Sequence, residues 1–229
     1  MAGQPAPARP RGPTSPTAVP GGMRFSSLNT GYLETCGLAG GVAYCWGANG
    51  DYLQSSPGYL GGPYFQPISA SEPFVALTTG PGGEHTCGLA ASGTSYCWGL
   101  NNFGQLGDGT TASRVAPQAV PGLTFASMTA GDVHSCGVSS TGTAYCWGDN
   151  LFGELGIGIP TGAAYKLSPV PVVGGINFIT VVAGAFYSCG IASGGSVYCW
   201  GDNSYGQSGN GTIGNATGTT GTYVPVLVQ

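Results

Sequence analysis

One tetrapeptide, Tyr-Cys-Trp-Gly, occurs four times in this chain of 229 residues. Its tryptophans, Trp46, Trp98, Trp147 and Trp200, are separated by 52, 49 and 53 residues. All four tryptophans and all eight cysteines of the chain lie within this repeated unit. Repeats of this length cannot bury their apolar faces alone, so each unit must pack against its neighbours.

The strand pattern of the unit predicts a β-propeller. Turns containing Gly or Pro divide each unit into four short strands. Only 6% of the residues are charged and 44 are Gly, which disfavours helical surfaces and favours turns. Four-stranded units of about 50 residues are typical of propeller blades. We therefore predict an all-β fold with four blades, in which the four tryptophans belong to the core between blades.

The predicted organisation is a tail followed by four repeats. Residues 1–16 are rich in Pro, Ala, Gly and Arg and are predicted to be disordered. The repeats span 17–63, 64–116, 117–168 and 169–222. A trailing strand, 223–229, looks like the first strand of a further repeat and suggests an interrupted, longer array.

Each repeat carries two cysteines that bracket a predicted hairpin. The pairs are Cys36 and Cys45, Cys87 and Cys97, Cys136 and Cys146, and Cys189 and Cys199. A two-residue Gly-Gly turn in the first unit and a three-residue loop in the second place the cysteines opposite each other, within reach of a disulfide. Free buried thiols and a metal site are the alternatives, although zinc motifs space their cysteines more closely. Disulfides predict an extracellular, cell-surface or periplasmic location, while no secretory signal is recognisable in the tail.

The charge balance argues against nucleic acid as a partner. The net charge is −4, and only Arg24, Arg114 and Lys166 are basic after residue 22. Phosphate neutralisation needs more Lys and Arg than this. No apolar run reaches the length of a transmembrane helix, so no membrane insertion is expected.

A longer motif accompanies the tetrapeptide in three repeats. Trp-Gly-x-Asn-x-(Phe/Tyr)-Gly-(Gln/Glu) occurs at 98–105, 147–154 and 200–207, and segments such as Ala-Gly-x-x-His-Ser-Cys-Gly precede it. These motifs resemble the regulator of chromosome condensation repeat family over about residues 17–229. The first copy departs from the pattern, because 46–54 lacks the Phe/Tyr-Gly-Gln ending.

The resemblance implies a propeller that commonly has seven blades, so four blades predict an incomplete arc. Nuclear and cytosolic members of the family act on a small GTPase, whereas the paired cysteines look more like secreted bacterial members. We expect a non-catalytic, secreted or surface protein-binding module with an unknown protein partner, and self-association that completes a propeller is a further expectation. The alternatives are a nucleotide-exchange regulator of a small GTPase and an inhibitor of a secreted enzyme.

Few residues are candidates for chemistry, so we expect no enzyme activity, cofactor or metal. One position, two residues before the first cysteine of each pair, varies between repeats and faces the predicted axis. A role in partner binding is the hypothesis for it, and a half-exposed structural residue is the alternative. The residues at this position are Glu34, His85, His134 and Tyr187. Loops that differ between repeats, at 54–64, 110–117, 157–166 and 210–222, are predicted to carry recognition. Asn49, Asn101, Asn150 and Asn203 are predicted to form turns.

Overall fold

The computed structural model describes residues 15, 18, 22–32, 34–47, 62–68, 70–80, 82, 84–159, 165–214 and 221–229. Apart from Ser15, the predicted disordered tail lies outside these residues. Short strands separated by glycine-rich turns account for the regular structure of the described chain.

Sixteen strands in this part of the chain form four antiparallel sheets. Sheet 1 contains β1 (Ser27–Thr30), β2 (Glu34–Ala39), β3 (Val42–Gly47) and β4 (Gly62–Ile68). Sheet 2 contains β5 (Phe74–Thr79), β6 (His85–Ala90), β7 (Ser95–Gly99) and β8 (Arg114–Ala119). Sheet 3 contains β9 (Ser127–Ala130), β10 (His134–Val138), β11 (Ala144–Gly148) and β12 (Lys166–Pro171). Sheet 4 contains β13 (Phe178–Ala183), β14 (Tyr187–Ala192), β15 (Val197–Gly201) and β16 (Thr222–Leu227). The strands of each sheet pair in chain order, as in a propeller blade.

The first strands of neighbouring sheets lie against one another, β1 on β5, β5 on β9 and β9 on β13. Side chains from one strand bind the backbone of the next: Thr78 Oγ1 accepts from Ala130 N and Thr129 Oγ1 accepts from Ala183 N, both at 3.1 Å. The first strands therefore form the inner edge of a propeller arc. The predicted all-β fold and its four blades are confirmed.

The sheets are offset from the predicted repeats. The segments that begin the predicted repeats at 64 and 117 belong to β4 and β8, the fourth strands of the preceding sheets. The prediction that 223–229 starts a further unit is wrong for the same reason, because β16 pairs with β15 and completes sheet 4. The repeat at 17–63 begins at residues that are mostly outside the described ones.

The hairpin registers confirm the predicted cysteine pairing. Cys36 lies opposite Cys45 and Cys87 opposite Cys97, and all four pairs form disulfides with Cα atoms 4.0–4.1 Å apart. The first hairpin turns through Gly40 and Gly41, whose φ angles of 58° and 82° suit glycine. Each of these disulfides therefore joins the two middle strands of one sheet.

Alternation along the strands gives every sheet two different faces. The cysteine face carries the disulfide, an aliphatic residue near the hairpin turn, such as Leu89 in sheet 2, and the variable residue at the other end of the strand, such as His85. The aromatic face carries a Phe, Tyr and Trp, which in sheet 2 are Phe74, Tyr96 and Trp98. The Phe ring lies over a glycine, Gly88 in sheet 2, where any Cβ would collide with it. The cysteines and the Tyr and Trp rings therefore lie on opposite faces of each sheet, and Phe74 covers Gly88.

Three buried clusters make up the core, and each joins the cysteine face of one sheet to the aromatic face of the next. Between sheets 3 and 4, Cys136 and Val138 meet Phe178 and Trp200. Trp147 and Trp200 have no exposed surface, and Trp98 is also buried. These three tryptophans lie in the core between sheets, whereas Trp46 is only half-buried because none of the described sheets lies over it.

Candidate functional site

The four residues predicted to bind a partner are the first residues of the second strands, β2, β6, β10 and β14. His85 and His134 have no exposed surface. Each lies at an interface between two sheets of the same chain, so the prediction that they contact a partner is wrong. Glu34 and Tyr187 are half-buried.

His85 belongs to a buried hydrogen-bonded chain between sheets 2 and 3. Its Nε2 lies 2.8 Å from Ser135 Oγ, which donates at 2.9 Å to the backbone oxygen of Gln105. The Trp147 indole N–H donates to the same oxygen at 3.0 Å. Because the serine proton is used by this carbonyl, His85 must donate its own proton from Nε2. We call this arrangement the interblade relay.

The interblade relay recurs between sheets 3 and 4. His134 Nε2 lies 2.8 Å from Ser188 Oγ, and Ser188 donates at 3.0 Å to the backbone oxygen of Glu154. The Trp200 indole N–H reaches that oxygen at 2.9 Å. The loop after the third strand of sheet 3 is therefore fixed against sheet 4 by two donors, the Ser188 hydroxyl and the Trp200 indole.

The first interface uses the same positions with a different chemistry. Thr86, at the serine position, donates to Glu34 Oε1 at 3.0 Å. Burial raises the pKa of Glu34, the bond from Thr86 lowers it in part, and the charge of Glu84 raises it further. The hydroxyl thus changes from acceptor to donor when a carboxylate replaces the histidine.

Burial also determines the protonation of the two histidines. Desolvation lowers the pKa of His85 to about 4. Desolvation and then the charge of His85 lower the pKa of His134 to about 3. Both rings are therefore neutral at physiological pH, as their single donated proton requires. This arrangement stabilises the interface and does not present an accessible acid or base.

Glu154 is a buried acid that was not predicted from the sequence. Its Oε2 accepts from Phe152 N at 2.8 Å, whereas Oε1 is buried without a hydrogen-bond partner. Burial raises the pKa of Glu154 to about 7, and the charge of Asp149 adds to the effect. The signal was available in the motif, since Gln105 and Gln207 fill the same position in sheets 2 and 4.

Buried asparagines anchor the loops between the third and fourth strands. Asn101 donates to the backbone oxygens of Thr110 and Ala112 at 3.0 Å and accepts from Leu106 N at 2.9 Å. Asn203 makes equivalent bonds to Thr212 and Ser208. These asparagines do more than form local turns, because each joins distant parts of one loop. In sheet 3, Asn150 accepts from Leu155 N at 3.2 Å, whereas its buried Nδ2 has no hydrogen-bond partner. Asn49 lies outside the described residues.

The three loops differ at their tips, and two of them expose apolar side chains. The salt bridge from Arg114 to Asp108, at 3.0 Å, closes the loop of sheet 2. In the loops of sheets 3 and 4, Leu151 is 51% exposed and Ile213 is 75% exposed. All three loops join a third strand to a fourth, so they emerge at the same edge of the arc. A buried asparagine at the base of a loop with a variable, partly apolar tip is typical of a recognition surface.

The described residues form neither a cluster suited to a metal ion nor a membrane-spanning helix. No group of three or more His, Cys, Asp or Glu side chains in those ranges is placed to hold a metal ion. The same part of the chain contains no helix with the length and hydrophobicity needed to span a membrane.

Models described as the regulator of chromosome condensation (RCC1) repeat match residues 92–138, 125–154 and 178–207. The ultraviolet-B receptor UVR8 of Arabidopsis thaliana is 30% identical over 178 residues, covering 76% of this chain and 40% of UVR8.

Solved structures share the fold. Yeast RCC1 (Prp20), solved bound to Kap60, superposes with a TM-score of 0.76 at 23% identity, over 92% of this chain and 50% of that one. Prp20p of Saccharomyces cerevisiae, studied for binding to Gsp1p and histones, gives a TM-score of 0.74 at 18% identity, over 90% and 51% of the two chains. The ectodomain of the receptor kinase CR4 of Physcomitrella patens gives 0.53 at 26% identity, over 83% and 46%. The chain thus spans about half the length of these relatives or less.

Proposed function

Because this chain is built from repeats of the RCC1 family, we propose that it is a non-catalytic module, secreted or on a cell surface, that binds another protein. The loops between third and fourth strands are the binding surface in this proposal. The exposed apolar side chains on these loops, Leu151 and Ile213 above all, are the observation that supports it. Apolar side chains on loops that polar anchors hold in place can bind with little loss of conformational entropy.

The proposed location follows from the disulfides. Four hairpin disulfides persist in an oxidising compartment and are rare in the cytosol. The likeness to a receptor ectodomain agrees with this proposal.

Partner capture with altered loops tests the binding surface. The immobilised chain is exposed to the surface and secreted proteins of its source, and captured proteins are identified by mass spectrometry. In Leu151→Ser combined with Ile213→Ser, we expect capture of the specific partner to fall at least about tenfold, as for loss of apolar contacts worth more than 1.4 kcal/mol.

The matched control is Val75→Ser, which removes an exposed apolar side chain outside these loops. Partner capture should be unchanged in this control. Equal capture by the loop variant and the native chain would show that these loops do not form the binding surface.

Regulation of a small GTPase is the competing function, by analogy with the relative studied for binding to Gsp1p. It predicts faster release of labelled GDP from Gsp1p when the chain is added. Thiol titration of the native protein separates the two settings, because an oxidising location predicts no free thiols and a reduced cytosolic regulator predicts eight.

A further inference from the structure

The two ends of the arc present different uncovered faces. At each of the three internal interfaces, a cysteine face meets an aromatic face. Sheet 4 has its aromatic face against sheet 3, which leaves its cysteine face uncovered. Sheet 1 has its cysteine face against sheet 2, which leaves its aromatic face uncovered. The described part of the chain therefore ends in one face of each kind.

The cysteine face of sheet 4 is apolar and accessible. Val182 is 57% exposed, and Ile191 and Val197 are also exposed. With Thr180 and Cys189 they line a shallow apolar groove. The residues that correspond to Ile191 are covered in the other sheets: Leu89 is 7% exposed and Val138 is buried. At the internal interfaces, the aromatic face of the next sheet covers this cysteine face.

The aromatic face of sheet 1 is accessible in the same way. Leu28 packs beside Phe25 over Gly37 and is 60% exposed. Its counterparts in sheets 2 and 4, Leu77 and Val181, are buried by the preceding sheet. Trp46 is half-buried, while the other three tryptophans are buried.

The polar positions of the two ends also correspond. Tyr187 occupies the histidine position of the interblade relay, and Gln207 occupies the position whose backbone oxygen accepts from the next sheet. On sheet 1, Thr35 and Trp46 occupy the positions of the two donors, Ser135 and Trp147. Tyr205 is almost fully exposed, whereas its counterpart Phe152 contacts Phe186 of the next sheet with ring centroids 5.2 Å apart.

We propose that the cysteine face of sheet 4 binds the aromatic face of sheet 1 in a second copy of this chain. The contact repeats the interfaces already present within the chain, with Val182 and Ile191 against Leu28 and Trp46. It is a head-to-tail contact, since the two copies contribute different faces. One such contact leaves an unpaired cysteine face on one copy and an unpaired aromatic face on the other, which can bind further copies.

The oligomeric state of the native chain tests the proposal. Light scattering after gel filtration, over a wide range of concentration, should show a species of at least two copies that dissociates on dilution. Val182→Asp places a carboxylate in the apolar contact and should weaken association by about a hundredfold or more. Leu28→Asp should have the same effect from the other side.

Val75→Asp is the matched control, because Val75 is 56% exposed on an internal sheet and belongs to neither terminal face. Its association should equal that of the native chain. Circular dichroism and intact disulfides confirm that all three variants fold.

Mixing the two disrupted variants tests the direction of the contact. Val182→Asp retains its aromatic face and Leu28→Asp retains its cysteine face, so the mixture can form one intact contact. We expect each variant alone to be monomeric and the mixture to form a one-to-one dimer. A native chain that is monomeric at every concentration, a mixture that stays monomeric, or equal disruption by Val75→Asp would overturn the proposal. None of these results depends on capture of a loop-bound partner.

Discussion

Glu154 shows how one residue can give an interface its own pH dependence. Its carboxylate is buried against sheet 4, and the carboxylate oxygen Oε1 has no hydrogen-bond partner. Its backbone oxygen accepts hydrogen bonds from Ser188 and Trp200. The equivalent Gln105 and Gln207 cannot ionise. Only the interface between sheets 3 and 4, among those described, therefore has an acid at this position.

Glu154→Gln should stabilise the protein at high pH. Because burial raises the pKa of Glu154 from 4.5 to about 7, the folded state is favoured while the carboxyl is protonated. This stabilisation is fully present below pH 4.5 and is lost as pH rises through 7. We expect the variant to be about 1–3 kcal/mol more stable than the native protein at pH 8, with a smaller difference at pH 5. Urea unfolding with intact disulfides measures both.

Gln105→Glu is the reciprocal variant, since it introduces an acid at the same position of sheet 2. It should destabilise the protein at pH 8 more than at pH 5. A Glu154→Gln effect of the same size at both pH values would contradict the assignment of the raised pKa.

The interblade relay makes a second prediction at this scale. Ser188→Ala removes the acceptor of the His134 proton and leaves that N–H buried without a partner. A buried donor without a partner costs about 1–3 kcal/mol, so the free energy of unfolding should fall by that amount. Ser196→Ala, at an exposed serine in the hairpin loop between β14 and β15, is the control and should change stability little. A similar loss in both variants would show that the relay does not stabilise the interface.

At the scale of the sheets, the hairpins were predictable and the outer strands were not. The turns, the opposed cysteines and the two faces follow from residues close together in the sequence, such as Gly40, Cys36 and Cys45. The fourth strand pairs across a long loop with the third strand, although a short Pro-Gly turn at Pro121 connects it to the next sheet. The turn residues in the sequence therefore predict that β8 belongs to sheet 3. It belongs to sheet 2, because its hydrogen bonds are made to β7, which is distant in the sequence.

The four disulfides differ in accessibility. Cys189 is half-buried on the uncovered cysteine face, whereas the six cysteines of the other three sheets have no exposed surface. Cys189–Cys199 should therefore be reduced first by a limiting thiol reagent. Alkylation followed by peptide mass spectrometry identifies the reduced pair.

The comparison is made at low protein concentration, because the proposed self-association would cover the cysteine face of sheet 4. Equal rates for Cys189–Cys199 and Cys87–Cys97 would show that burial on the cysteine face does not control access to the sulfurs.

For the whole molecule, the fold was predictable and the role of the variable position was not. The period of the tryptophans and the family motif identified a propeller arc. The sequence predicts partner binding at the position of Glu34, His85, His134 and Tyr187 because this position varies between repeats and faces the predicted axis. Variation there reflects a paired change across an interface, Glu34 with Thr86 and His85 with Ser135, which only the packing of two sheets can show. The exposed side chains of the loops determine which protein is bound, and the repeat motif does not include them.

The pairing of a cysteine face with an aromatic face, used at all three internal interfaces, has a consequence for evolution. Because the same two surfaces meet each time, the interfaces do not specify how many units an array contains. Duplication or deletion of one unit of about 50 residues leaves a chain in which a cysteine face still meets an aromatic face at each junction. Genes for such arrays can therefore change length in whole units, while the exposed loops of each unit diverge independently.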